Sequence, residues 1–267
     1  MKLNQVFELL KKASTPRDAK IVTEYLKENN KTNLFAVLCA RNQLSRGFPV
    51  AKIIGRKWFY GLSFYTNKYT LDPRPDSETL IEAVLKRAKS KEQRANTAPL
   101  TILDLGTGTG CLVCALIKNL PNAIGVGVDI SRGAIRVAKK NVKDLGLSDE
   151  IKIQRANFNK SEIRNQKSEI FDIIISNPPY IAIGDLYVNI GATHDPKIAL
   201  YSGRDGLDAY RDIAKSVKKL LKPSGLLFLE IGSTQGKSVR KIFSDFKFIE
   251  SYKDLGGIER VLELENK

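Results

Sequence analysis

The sequence predicts a doubly wound α/β domain with a mostly parallel sheet, preceded by a small N-terminal helical domain and a connecting β-hairpin. From residue 100 onward, apolar strand patterns alternate with amphipathic helix patterns, which is typical of a parallel sheet covered on both faces. Residues 1 to about 50 show helical periodicity only. Between these parts, "KWFYGLSFYTNKYTL" is rich in aromatic residues and threonine and indicates one or two hairpins, with turns at Gly61 and Asn67.

The N-terminal helices are predicted from apolar residues at helical spacing in "LNQVFELLKKA", "STPRDAKIVTEYLKEN" and "NLFAVLCARNQLSRG". The second stretch opens with Ser-Thr-Pro, a helix-start signal, and the third ends at Gly47. Since no catalytic cluster is evident in them, we expect these helices to dock a partner. We therefore divide the chain into residues 1–72 for docking, 73–99 as a connecting segment with a helix, and 100–267 as the α/β domain.

The α/β domain is predicted as seven strands that alternate at first with helices. Ligands of such a sheet bind at the carboxyl ends of its strands. The predicted strands are "LTILDLG", "AIGVGVDI", "IKIQRANF", "FDIIISN", "GLLFLEIG", "FIESYKD" and "RVLELE", and the predicted helices are "CLVCALIKNL", "SRGAIRVAKKNVKDLG", "GLDAYRDIAKSVKKLL" and "TQGKSVRKIFSDF".

Composition limits the class of protein only broadly. The chain has 267 residues, of which 42% are hydrophobic, so it can form a sizeable core. It has no apolar run near the ~18 residues that a membrane span needs and no signal-peptide pattern, so we expect a cytoplasmic protein without membrane contact. The net charge of +15 favours polyanionic partners such as nucleic acid, ribonucleoprotein or an acidic protein, but the cations are spread over many helix faces.

Cys111 and Cys114 form a C-x-x-C pair, for which a redox or metal role is one interpretation. The sequence contains no second such pair and no His pair, and the two cysteines fall on the apolar stretch "CLVCALI". We therefore expect them to be small core residues and expect no metal site.

A glycine-rich loop, "LDLGTGTG", follows the first strand of the α/β domain. Gly106, Gly108 and Gly110 permit tight turns and a close approach of a ligand to the next helix. The spacing is neither G-x-G-x-x-G nor a phosphate loop, and Asp104 would repel a polyphosphate but attract a cationic amino acid moiety. The loop therefore favours a nucleoside ligand without polyphosphate.

Asp129 ends the second strand in "GVGVDIS". At this place an acidic side chain can accept hydrogen bonds from both hydroxyls of a ribose. The alternative is that Asp129 only caps the helix that begins after Ser131.

The fourth strand ends in an unusual way, at "FDIIISNPPY". Pro178 and Pro179 lack backbone N–H groups and stiffen the chain at Asn177, which leaves carbonyl groups and one carboxamide at the corner. Such a corner suits a ligand that brings N–H groups. The alternative is an ordinary Asn-Pro turn.

Together, the glycine loop, Asp129 and "NPPY" resemble the class I, S-adenosylmethionine-dependent methyltransferases, which have a Rossmann-like fold. Within that class the last motif characterises enzymes that methylate adenine N6, cytosine N4 or a glutamine amide. "SRGFPVAKIIGRKWFYGLSF", "PRPDSETL" and "DGLDAYRDI...LLKPSGLLFLEIGSTQG" further resemble the PrmC/HemK family of peptide chain release factor N5-glutamine methyltransferases. This resemblance covers nearly the whole chain, as far as "GGIERVLELE".

The resemblance implies a site for S-adenosylmethionine. Gly106, Thr107 and Gly108 would line the methionine part of the cofactor, and Asp129 would bind its ribose. The full set expected at the cofactor is Asp104, Gly106, Thr107, Gly108, Gly110, Asp129, Ile130, Asn157, Phe158 and Asn177.

The resemblance also implies a substrate site. Asn177 and the Pro178 backbone would be the catalytic groups, because accepting the N–H bonds of a glutamine amide aims its nitrogen at the methyl group. Arg74 and Glu78 lie in the segment that borders the active site of the family; by residue type alone they would be a helix-start turn with a surface ion pair. The full set expected at the substrate is Asn177, Pro178, Pro179, Tyr180, Arg74 and Glu78.

The sequence departs from the family pattern in several places. Asn157 and Phe158 stand where the family has an acidic and an aromatic residue, and we expect Asn157 to accept from the adenine amine and Phe158 to stack. Asp195 with Pro196 replaces a more usual Glu-Pro. His194, in the same loop, is expected to be structural. The N-terminal part also looks somewhat short for the family.

The leading hypothesis is a methyltransferase that modifies the glutamine of the Gly-Gly-Gln motif of class I release factors, with S-adenosylmethionine as cofactor. An adenine-N6 methyltransferase acting on DNA or RNA is the first alternative. A non-catalytic module that binds the ribosome or RNA is the second. Contact with nucleic acid is left open, since the leading hypothesis does not require it.

Overall fold

Four helices open the chain in the computed structural model, which describes residues 1–92, 98–158, 170–185 and 194–267. The first three confirm the sequence prediction, and Thr15 and Asn33 cap the second and third by accepting from backbone N–H groups. A short fourth helix after Pro49 was not predicted. Their apolar faces form a separate core that includes Val6 and Val22. The helices are α1 (Leu3–Lys11), α2 (Pro16–Glu28), α3 (Leu34–Ser45) and α4 (Val50–Ile54).

A single hairpin follows, formed by β1 (Arg56–Phe59) and β2 (Leu62–Tyr65). Its turn uses Tyr60 and Gly61, both with positive φ, as a tight two-residue hairpin requires. Phe59 and Phe64 pack in the core of the α/β part, together with α5 (Glu78–Glu92). The division of the chain at residue 72 stays a prediction.

Seven of the described strands form one sheet, with the order β5-β4-β3-β6-β7-β9-β8. The neighbouring strands from β5 to β7 are parallel, whereas β9 is antiparallel to β7 and β8. This arrangement confirms the predicted doubly wound α/β fold. The strands are β3 (Leu100–Leu105), β4 (Ala123–Asp129), β5 (Ile151–Arg155), β6 (Phe171–Ser176), β7 (Leu221–Glu230), β8 (Phe246–Lys253) and β9 (Glu259–Asn266).

Helices cover both faces of the sheet. Successive strand residues point to opposite sides, so each strand contributes to a core on either face. Ile102 faces the core beneath α5, α6 (Cys111–Asn119) and α7 (Arg132–Asp144), whereas Leu103 faces α8 (Asp208–Leu220) and α9 (Gly236–Ile242). In the described ranges, no helix combines the length and the apolar character needed to cross a bilayer.

Strand order brings the functional motifs together. β3 lies between β4 and β6, with Leu105 aligned with Val128 on one side and Ser176 on the other. The glycine loop, Asp129 and Asn177 therefore leave neighbouring strands at the same edge of the sheet.

Candidate active site

A cavity of about 390 Å³ opens at this edge. It is bounded by the glycine loop, the ends of β4 and β5, the start of the Asn-Pro-Pro-Tyr segment, the chain before α5 and the first turns of α8. The predicted site residues that line it are Arg74, Gly106, Thr107, Gly108, Asp129, Ile130, Asn157, Phe158, Asn177 and Pro179. The other five predicted site residues, all in the described part of the chain, are not part of that lining: Glu78, Asp104, Gly110, Pro178 and Tyr180.

The glycine loop is held open by its backbone conformation. Gly106, Gly108 and Gly110 all have positive φ, and the N–H groups of Gly106 and Thr107 both donate to the Val128 carbonyl, at 2.9 and 2.8 Å. A Cβ on Gly106 would lie 3.3 Å from the Phe158 ring. The loop and this ring thus form a narrow slot that a larger residue would fill.

Asp129 lies at the rim of the slot. One carboxylate oxygen accepts from the Gly108 N–H at 3.0 Å, and the other accepts from the Ser131 N–H at 2.8 Å. Ser131 itself caps α7 by accepting from the Ala134 N–H at 3.2 Å. Asp129 therefore ties the loop to the helix start, and its oxygens keep further lone pairs for a ligand. Burial raises the pKa of this carboxyl.

Asp104 is fully buried beneath the loop. One oxygen accepts from the Thr107 hydroxyl at 2.6 Å, while the other lacks a hydrogen-bond partner. Burial raises the pKa of this carboxyl to about 7. Thr107 lines the cavity and Asp104 does not. Asp104 would therefore attract a cationic group in the cavity across Thr107, without contacting it.

Asn157 and Phe158 form the wall of the slot beyond β5. The Asn157 side-chain oxygen accepts from the Phe158 N–H at 2.7 Å, and the Phe158 carbonyl accepts from the Ser216 hydroxyl. The Asn157 side-chain oxygen, which is expected to accept from an adenine amine, therefore already accepts from a backbone N–H group. One of its lone pairs remains for a ligand.

Asn177 is oriented by a residue from a distant part of the chain. Its Nδ2 donates to the Ser77 Oγ at 3.0 Å, so the donor side of the carboxamide is engaged. Its oxygen is then the acceptor left for a ligand at the cavity. Ser176, just before it, anchors the end of β6 by donating to the Leu105 carbonyl at 2.6 Å.

Glu230, at the end of β7, is a neighbour of the cavity residues Ser77 and Asn177 that the sequence did not predict. Its side chain is fully buried, and hydrogen bonding from Ser77 and Asn177 lowers the pKa of its carboxyl by less than burial raises it. Burial raises the pKa of this carboxyl to about 7. The signal that could have found it is a single acidic residue closing the apolar strand "LLFLE".

Arg74 and Glu78 do not form the surface ion pair that their residue types suggest. Arg74 bonds to Asp195 at 2.6 Å, and the Glu78 carboxylate accepts from the Tyr60 N–H at 2.9 Å, which holds the hairpin. Glu78 is therefore engaged behind the cavity. Tyr180 packs next to the core beside α8, and burial raises the pKa of its hydroxyl to about 12.

Lys52 of α4 connects the helical region to the site, which the sequence did not predict. Its ammonium lies 2.8 Å from Asp72 and 3.0 Å from Asp195, and all three side chains are nearly inaccessible. His194 directly precedes Asp195, and the centroid of its ring lies 4.0 Å from that of the Phe48 ring. This contact agrees with a structural role for His194.

Cys111 and Cys114 are buried in α6. Burial raises the pKa of the Cys111 thiol to about 12. Within the described ranges, no group of His, Cys, Asp and Glu side chains could hold a metal ion.

Comparison with known proteins identifies the family. A family model described as a methyltransferase domain matches residues 96–261. The release factor glutamine methyltransferase of Agrobacterium fabrum is 41% identical over 224 residues, which cover 82% of this chain and 74% of that protein. The chain belongs to the release factor glutamine methyltransferase family.

A second relative and a solved structure extend the comparison. The bifunctional methyltransferase of Rickettsia felis is 39% identical to this chain over 239 residues, which cover 80% of this chain. That match covers 45% of the relative, so the chain spans about half of its length. The solved catalytic domain of hMettl16, in complex with MAT2A 3'UTR hairpin 6, is 18% identical with a TM-score of 0.58 over 78% of this chain and 77% of that one, which supports the fold.

Family membership implies S-adenosylmethionine as the methyl donor. The residues present fit this cofactor, because the glycine slot would be filled by any Cβ at Gly106 and the Asp129 carboxylate lies at its rim. The buried Asp104 carboxyl, one oxygen of which lacks a hydrogen-bond partner, lies beneath the loop and in its ionised form would favour the cationic groups of the cofactor.

Proposed function

We propose that this chain transfers a methyl group from S-adenosylmethionine to the side-chain amide nitrogen of the glutamine in the Gly-Gly-Gln motif of class I release factors. The observation that carries the proposal is the orientation of Asn177, whose Nδ2 is engaged by Ser77. Its oxygen is thereby available to a ligand that brings N–H groups. The names of relatives such as the Agrobacterium fabrum enzyme support a glutamine as that ligand.

The proposed chemistry depends mainly on positioning. The nitrogen of an amide is a poor nucleophile, because its lone pair is delocalised. Accepting its two N–H bonds on the Asn177 side-chain oxygen and the Pro178 carbonyl would aim the nitrogen and favour its pyramidal geometry. The cofactor, when bound, supplies an electrophilic methyl group on a sulfonium that leaves as a neutral thioether.

The remaining site residues divide between the two ligands. Gly106, Gly108, Asp129 and Phe158 would hold the cofactor in the glycine slot. Of the residues assigned to the substrate, Arg74 and Pro179 line the cavity, and Tyr180 supports the corner from behind.

The helical region would dock the release factor in the cytoplasm. Its α3 is apolar on two sides: Val37 and Leu44 are buried, whereas Leu34 and Phe35 are 57% and 79% exposed. An apolar face in a region assigned to docking supports a protein substrate.

Methyl transfer from tritiated S-adenosylmethionine tests the proposal. The purified protein is incubated with unmodified release factor, with a Gln→Ala variant of its Gly-Gly-Gln motif, and with unmethylated duplex DNA. Label on the unmodified factor alone is expected. Label on DNA would favour the adenine reaction, to which the net charge of +15 would then be relevant. Absence of label on all three would favour a binding module.

A further inference from the structure

We propose that Glu230 is a positioning residue for the methyl transfer, which acts with Ser77 to hold the Asn177 carboxamide with its oxygen toward the cavity. The inference rests on the proposed function, because it assigns the orientation of the group that would receive the substrate amide. Glu230 ends β7 beside Asn177, since Leu229 is aligned with Ser176 on the neighbouring strand.

The chemistry of the two partners explains why Ser77 alone is not sufficient. A carboxamide can be rotated by half a turn, which exchanges its donor and acceptor sides. A hydroxyl can donate or accept, so the Ser77 Oγ tolerates either orientation of Asn177. An ionised carboxylate only accepts, so Glu230 selects the orientation in which the Asn177 Nδ2 faces inward.

The surroundings of Glu230 compensate its charge only in part. Arg260 of β9 is a cation that favours the ionised form, but its guanidinium is bound by Asp254 at 2.8 Å and by Asp76 at 3.0 Å. The other titratable groups that face the carboxyl are acidic or phenolic, or a buried thiol. They are Asp76, Tyr180, Tyr210 and Cys111.

A buried carboxyl without an ion pair is costly to the fold. Glu230 has no salt bridge within the part of the chain that the structure describes, and its Oε2 lacks a hydrogen-bond partner. A neutral residue would fill this position at a smaller cost in folding free energy. The presence of a carboxylate, which only accepts hydrogen bonds, therefore indicates that this acceptor property has a function.

The first test compares the wild-type protein with Glu230→Gln and Glu230→Ala. Turnover of release factor by the wild type is expected to rise about 10-fold from pH 6 to pH 8 as Glu230 ionises, because its pKa is about 7. Glu230→Gln, which can still accept from Asn177, should show a flat pH profile. Glu230→Ala should lose about 100-fold in kcat, the order expected for a misplaced reacting group.

Two controls separate positioning from general damage. Glu263→Gln neutralises another buried glutamate, which is bound by Arg87 and Tyr252, and it should keep the wild-type pH profile. Asp104→Asn removes the other carboxyl with a pKa of about 7, and its effect should fall on the KM for S-adenosylmethionine rather than on kcat.

A double-variant measurement tests whether Glu230 acts through Asn177. If it does, Asn177→Ala with Glu230→Ala should be no slower than Asn177→Ala alone. An additive loss would overturn the proposal, as would a Glu230→Gln variant that keeps the wild-type pH rise.

A spectroscopic measurement makes the inference independent of the substrate. With ¹⁵N-labelled asparagine, the Asn177 side-chain amide signal, assigned by its loss in Asn177→Ala, should titrate near pH 7 in the wild type and not in Glu230→Gln. An unchanged signal across this range would overturn the inference. If the wild-type enzyme transferred no label to release factor, the proposed function would be overturned. The titration of the Asn177 amide signal would still decide the inference about Glu230.

Discussion

The Asn177 side-chain nitrogen lies 3.0 Å from the Ser77 hydroxyl oxygen, although the two residues are 100 positions apart in the chain. Ser77 lies at the end of the short 3₁₀ helix that precedes α5, and Asn177 follows β6. The contact joins the proline-rich segment to the corner at which a substrate amide would bind.

Removal of the Ser77 hydroxyl should slow methyl transfer. Ser77→Ala takes away the acceptor of the Asn177 Nδ2 bond, so we expect a loss of about 10-fold or more in kcat, since orientation is lost while the carboxamide remains. Ser63→Ala is the matched control, because the Ser63 hydroxyl is buried without a partner and its removal should be nearly neutral. Equal rates for the two variants would contradict the prediction.

A methyl group at Gly106 should block the cofactor slot. Gly106→Ala places a Cβ 3.3 Å from the Phe158 ring and also strains a residue with positive φ, so binding of S-adenosylmethionine measured by calorimetry should weaken at least 10-fold. Gly146 has a similar φ with no atom within 4 Å of an added Cβ. Gly146→Ala should therefore lower stability by about 1 kcal/mol but leave cofactor affinity unchanged. Wild-type affinity in Gly106→Ala would show that the slot is not the cofactor site.

Loss of the Lys52 ammonium should strongly destabilise the fold. Lys52→Met leaves the buried carboxylates of Asp72 and Asp195 without this cation, so the free energy of unfolding measured with urea should fall by about 3–5 kcal/mol. Lys86→Met removes an exposed ion pair with Glu250 and should change it by less than about 1 kcal/mol. A small effect in both variants would mean that Asp72 and Asp195 are satisfied without Lys52.

The buried Asp104 should make stability depend on pH. Its pKa is raised to about 7 in the folded state, so the stability that it contributes is complete below about pH 4 and is lost as the pH rises to about 7. Relative to Asp104→Asn, the wild-type free energy of unfolding should fall by a few kcal/mol, to order of magnitude, between pH 4.5 and 7.5. A difference between the two proteins that is independent of pH would show that Asp104 does not titrate in this range.

The exposed face of α3 should affect the protein substrate only. Leu34→Ser removes an apolar side chain that is 57% exposed, and we expect the KM for release factor to rise by about 5-fold or more with unchanged cofactor affinity. Leu255→Ser, at a fully exposed position elsewhere, is the matched control and should leave that KM unchanged. Unchanged KM in Leu34→Ser would place docking on another surface.

The alternation of strands and helices was predictable because local periodicity and burial on both faces of the sheet agree. The short helix α4 was not, because five residues after a proline carry too little periodicity. The glycine loop, Asp129 and Asn177 could be grouped from the order of their strands. Ser77 and Glu230 could not be added to them, because their roles depend on side chains that meet from the 3₁₀ helix before α5, the end of β6 and the end of β7, rather than on a local pattern.

The Lys52 network also limits the order in which the molecule can assemble during synthesis. Arg74 and Asp195, which belong to it, are 121 positions apart, and a ribosome adds roughly 5–20 residues per second. The N-terminal helices can thus form their own core many seconds before Asp195 exists. Until then Lys52 has Asp72 as its carboxylate partner, and the helical region is held to the nascent chain by only part of its final set of charges.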